Sequence, residues 1–156
     1  MPKGSPEVIS ALQALLAAEY HANLQFRNDT TALKFLGVPK LAKKFHHFAD
    51  QSHEFYQSIS KRLMVIGGSA SAAVGNIEEQ TTVTGLFTNA LAEENALCAL
   101  GIAGIKVSVA NGDETTAEKL RHIEERHEDH VAWIERQINL IKSLSEPVYL
   151  AEKLGS

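Results

Sequence analysis

The chain lacks most of what marks a secreted, membrane-bound or nucleic-acid-binding protein. It has one cysteine, Cys98, so no disulfide framework can form and a reducing cytoplasm is the expected compartment. The opening residues, MPKGSPEVIS, carry no apolar stretch of the kind a signal peptide needs. The most apolar segment, 96–110, contains Lys106 and is too short to cross a bilayer. Neither terminus has a run of Lys or Arg and the formal charge is −4, so neither an anionic membrane nor DNA is an expected partner. Proline is scarce, at 2, 6, 39 and 147 only, always at a segment edge, and no period-two alternation marks a strand. What remains is an all-α chain of 156 residues, the length of one ordinary domain.

Periodicity divides residues 1–156, taken as a single domain, into helices at about 6–36, 39–66, 82–110, 116–144 and 147–154. The first opens on Ser5-Pro6, a cap residue followed by proline at the first helical position. Its inward stripe is Leu12, Leu16, Glu19, Asn23, Phe26, Thr30 and Leu33. The second carries Leu41, Phe45, Phe48, Ser52, Phe55, Ile59, Leu63 and Ile66 inward, and the third Val83, Phe87, Ala90, Glu94, Leu97, Gly101 and Ile105. In the fourth the stripe is Leu120, Ile123, His127, His130, Ile134, Gln137 or Ile138, and Ile141. Short first and third connections make two antiparallel hairpins. The long second connection lets the third helix run parallel to the second, giving a four-helix bundle with one crossover and a short fifth helix.

Four ionisable residues stand at mid-helix on inward faces: Glu19, Glu94, His127 and His130. A buried carboxylate must be paired, protonated or metal-bound. Two carboxylates and two imidazoles are ligands that iron or zinc accepts. They can equally satisfy one another as a metal-free polar network, and both readings stand on the sequence.

The stretches ALLAAEYHANLQF, FLGVPKLA, ISKRLMVIGG, EDHVAWIERQINLI and LSEPVYLAEKL make the chain resemble the bacterioferritins over nearly its whole length. The resemblance implies a ferritin-like bundle and a subunit of a hollow iron-storing, iron-detoxifying cage relevant to oxidative stress. That cage is built from two-fold dimers, with 24 subunits rather than 12 because the fifth helix is kept. It also implies haem between paired subunits, and a two-iron ferroxidase centre in each bundle: one Glu from the first and third helices, Glu-x-x-His from the second and fourth. Glu19, Glu94 and His130 match that pattern. His127 stands where the bridging glutamate belongs, and Ser52 and Phe55 stand where the second helix's Glu and His belong. Shifting that helix to use Asp50-x-x-His53 would pull Phe45, Phe48, Phe55 and Ile59 out of the core. Even two such burials, about 1.5–3 kcal/mol each, outweigh the ligand gain. The expected centre is therefore atypical or absent: at most one metal on Glu94, His127 and His130, with Glu19 as a fourth ligand. Such a chain could co-assemble with a second, active ferritin-like subunit.

A second concentration, FHHFADQSHEF, puts His46, Asp50 and His53 on an outward ridge of the second helix, with His21, Gln25 and Asn28 on the matching ridge of the first. Three readings stay open: a solvated polar face, a metal site shared across a two-fold axis as in the small Dps cages, or haem held by His53, which matches the family's haem-ligating methionine. Under the second reading the chain would be an enzyme, a ferroxidase or peroxide consumer working at the subunit interface.

Overall fold

The computed structural model describes residues 4–154 as five helices: α1 (Pro6–Phe35), α2 (Pro39–Val65), α3 (Val83–Ala110), α4 (Glu114–Leu144) and α5 (Glu146–Lys153). Among the described residues there is no strand. The observed ends lie within two residues of the expected ones, and local chemistry sets the differences. Ser5 Oγ accepts from Val8 N, and Thr82 and Asp113 cap α3 and α4 by accepting from Gly85 N and Thr116 N. Gly37 and Gly67 take positive φ values, 81° and 83°, which let α1 and α2 stop without a Cβ penalty.

α1 packs on α2 and α3 on α4, each pair as a hairpin. The connection over residues 66–82 climbs alongside α1. Gln13 Nε2 donates to Ser69 O, His21 Nε2 bonds Asn76 O, and Gln25 both donates to Glu78 O and accepts from Glu78 N. The chain thus returns to the end where α2 began, and Phe87 near the start of α3 meets Phe45 near the start of α2 at 5.8 Å between ring centroids. α3 therefore runs parallel to α2, as a one-crossover bundle requires.

The interior is layered. At the α5 end, Phe26, Phe45, Phe48 and Phe87 form an aromatic cluster, closed from outside by Trp133 and Tyr149. At the other end Leu12, Leu16, Leu63, Ile59 and Leu120 pack as aliphatics. Every stripe residue expected on α1 and α2 is buried. On α3 the stripe drifts: Ile105 is half-buried, while Gly104 and Ser108 take the inward positions. Gly104 admits Leu120, whose Cδ1 lies 2.8 Å from where a Cβ would stand. On α4 the choice falls on Gln137, whose Oε1 accepts from the buried Tyr149 hydroxyl at 2.7 Å. A buried amide is satisfied there, so Ile138 is left half-buried.

Candidate functional site

Between the aromatic and aliphatic layers lies a polar one. Glu19 of α1, Ser52 of α2, Glu94 of α3 and His127 of α4 are each no more than 1% exposed, with His130 at 5%. The 3.6-residue period aims all five at the bundle axis. Asp50 is exposed and His53 half-buried on the far side of α2, so α2 keeps its phenylalanines inside.

His127 holds the layer together. Its Nε2 lies 2.6 Å from Glu19 Oε2 and its Nδ1 2.6 Å from Glu94 Oε2. Two carboxylate partners on one ring call for a proton on each nitrogen, an imidazolium. Burial alone would depress the imidazole pKa; the charges and hydrogen bonds of Glu19 and Glu94 overcome it and hold His127 up to about 10. Burial raises Glu19, with His127 opposing. Burial also acts upward on Glu94, but His127 and His130 together bring it below the ordinary carboxylate value. His130 Nδ1 bonds Glu94 Oε1 at 2.9 Å, and its Nε2 meets Gln51 Oε1. Gln51, which is not on the inward stripe expected of α2, is thus the outer cap of the layer. Its place beside inward Ser52 was the only available signal.

Among the described residues, one group brings His and acidic ligand atoms within reach of a shared cation: Glu94, His127 and His130, all within 4.8 Å of one another. The donor set does not fit a pair of metals. Ser52 supplies no carboxylate, and the Phe55 ring packs 5.1 Å from the His127 ring. Both His127 nitrogens are already bonded, so even one cation must first displace a carboxylate from the ring. Glu19 Oε1 and Ser52 Oγ are buried without hydrogen-bond partners.

The outward residues are arranged differently. His46 Nε2 lies 3.3 Å from Asp50 Oδ2, and Arg27 reaches Asp50 Oδ1 at 3.1 Å. His53 Nδ1 is bonded to Tyr56 Oη at 2.6 Å, leaving Nε2 as its remaining ligand atom. Within one chain His46, Asp50 and His53 do not converge on a common point. One expectation is corrected. Gln25 is not on an outer ridge: it is fully buried beneath the 66–82 connection, where it also donates to Asp29. His21 is half-buried there, its Nδ1 2.5 Å from Glu93 Oε1. This belt went unread because the path of a long connection leaves no periodic trace.

Residues 9–144 match the family model for the ferritin-like domain. A bacterial ferritin of Pseudomonas aeruginosa is 25% identical over 153 residues, covering 97% of this chain and 99% of that one. A bacterioferritin of Streptomyces coelicolor is 29% identical, over 96% of this chain and 90% of the relative. Among solved structures, Rhodobacter capsulatus bacterioferritin, determined with a metal-free dinuclear site and haem iron, superposes with a TM-score of 0.94 at 21% identity, covering 99% of this chain and 97% of that one. Mycobacterium tuberculosis bacterioferritin gives 0.94 at 23%, covering 98% and 97%.

Proposed function

The chain belongs to the ferritin-like family, as a divergent bacterioferritin-like member, and we propose that it is a subunit of an iron-storing cage whose own bundle does not oxidise iron. Self-association and the iron cargo are carried over from relatives matched along nearly their whole length. The departure from them is carried by one observation: His127 bridges Glu19 and Glu94 where a two-iron centre needs a bridging carboxylate. An imidazolium there supplies part of the positive charge that metal ions would otherwise bring, on a ring that already bonds both carboxylates. Fe(II) is then oxidised by dioxygen outside this bundle, as at a co-assembled active subunit. No strong ligand pair on α2 invites Fe(II) into the bundle.

The test combines size and kinetics. Light scattering should show a large closed assembly of this chain, alone or with a second ferritin-like subunit, and Fe(II) added in air should oxidise at the protein-free rate. In the variant Ser52→Glu/Phe55→His/His127→Glu, oxidation should rise at least tenfold, since one activating group is typically worth that much or more. A small oligomer that takes up no iron overturns the storage reading. Fast oxidation by the unaltered chain that persists in Asp50→Ala/His53→Ala overturns the closed centre.

A second reading has its own support: the outward His53, with Nδ1 fixed by Tyr56, beside Asp50 and His46. A two-fold axis would double these ligands into an interfacial iron or haem site. Asp50→Ala/His53→Ala separates the two. Loss of Fe(II) oxidation, or of a Soret band, favours the interfacial site; no change in either favours the inert assembly subunit.

A further inference from the structure

Outside the polar layer, the seam between α2 and α4 opens into a cleft of about 220 Å³ lined by Lys44, His47, Gln51, Arg126, Asp129 and His130, with Phe48 and Trp133 as its apolar wall. Its charge balance is unlike that of the next cleft along the same seam, where Glu54 and Glu118 stand with Lys119 and His122. Here Lys44 and Arg126 face one carboxylate, Asp129, which Arg126 meets only at 3.8 Å. Lys44 Nζ is held 5.2 Å from the Trp133 ring centroid and 5.7 Å from that of Phe48, and among the described residues it has no carboxylate partner. Gln51 turns its carbonyl oxygen toward His130, so its amide nitrogen, with no partner among the described residues, is left to donate into the cleft.

Two cations, an amide donor and an imidazole around a space this small make an anion receptor. The geometry points to a binding site for a small tetrahedral oxyanion, inorganic phosphate or sulfate, between Lys44 and Arg126, with Gln51 and His47 donating hydrogen bonds to its oxygens. Lys44 lies over the Phe48 and Trp133 rings, where a nucleotide base would have to stack. A divalent cation taking this route toward His130 meets two positive charges, whereas an anion meets its ligands. The site stands on its own geometry and does not depend on iron storage.

Trp133 is the chain's only tryptophan, so its emission reports on the cleft. The experiment uses the iron-free assembled protein, which keeps its outcome separate from any mineral. Equilibrium dialysis against labelled inorganic phosphate, with potassium chloride holding ionic strength constant, should show saturable binding of one anion per subunit, with a parallel change in Trp133 emission. Lys44→Gln/Arg126→Gln should weaken it by about tenfold or more, the usual loss when charge-assisted hydrogen bonds are removed. Asp129→Asn, which deletes the competing carboxylate, should tighten it. Sulfate competing with phosphate supports the site as drawn. Binding that does not saturate, that chloride reproduces, or that the double variant retains at wild-type affinity overturns it. Circular dichroism of the variants confirms that their helices are intact.

Discussion

His127 and Asp29 show how differently two buried ionisable residues behave. His127 is charged because it has two partners. Its pKa is raised from 6.5 to about 10, so its contribution to stability is complete below pH 6.5 and is lost as pH rises through 10. His127→Gln leaves buried carboxylates without a counter-charge and should cost about 3–5 kcal/mol at pH 7. The gap from wild type should narrow toward pH 10, where the wild-type imidazolium itself discharges; urea unfolding across that range measures it. Asp29 is the opposite case. It is fully buried, its Oδ2 has no partner, and burial pushes it from 3.8 to about 7. Its penalty is absent near pH 3.8 and grows as pH rises to about 7. Asp29→Asn should therefore stabilise the protein by about 1–2 kcal/mol at pH 8 and hardly at all at pH 4, read as a difference in melting temperature at the two pH values.

Among the elements, α5 is the one whose attachment is strained. Ser145, between α4 and α5, has φ 72° and ψ 155°, a region that residues with a Cβ seldom occupy. It is held because α5 is anchored through its first half: Tyr149 is buried against Phe87, and Glu146 accepts from Thr84 N and Oγ1 at 2.7 Å each. Ser145→Gly should release this strain and gain about 1 kcal/mol, a rise in melting temperature of ~2–4 °C for a chain this size. The helices themselves were legible in the sequence because four long apolar stripes repeat at helical spacing and prolines stand only at their edges. The ends differed by up to two residues because caps such as Asp113 are polar residues that the apolar stripe does not register.

At the scale of the whole molecule, the same regularity that exposed the fold also exposed the interior residues. Glu19, Glu94, His127 and His130 were visible as polar interruptions of apolar stripes, and the structure brings them together. What the pattern could not show was which group would satisfy which. The roles of Gln51, Gln25 and Asp29 depend on neighbours from other helices and from an aperiodic connection. Arg62 illustrates the same limit: its guanidinium ties α2 to the α4 cap through Asp113 at 2.9 Å and Thr116 at 2.8 Å. The pairing spans 51 residues and has no sequence signature. Arg62→Ala should loosen that end of the bundle, losing the pair and the cap geometry together for about 1–2 kcal/mol. Amide exchange should report it first in the opening turns of α4.

The strap formed by residues 66–82 is gripped by its main chain. Gln13, His21 and Gln25 bond the peptide groups of Ser69, Asn76 and Glu78, not their side chains. The wording of the strap can therefore drift while the fastening stays shut: alanine at 76 or 78 leaves each grip in place. Proline at 78, by deleting the amide that Gln25 holds, would undo one buckle and let the strap lift from α1.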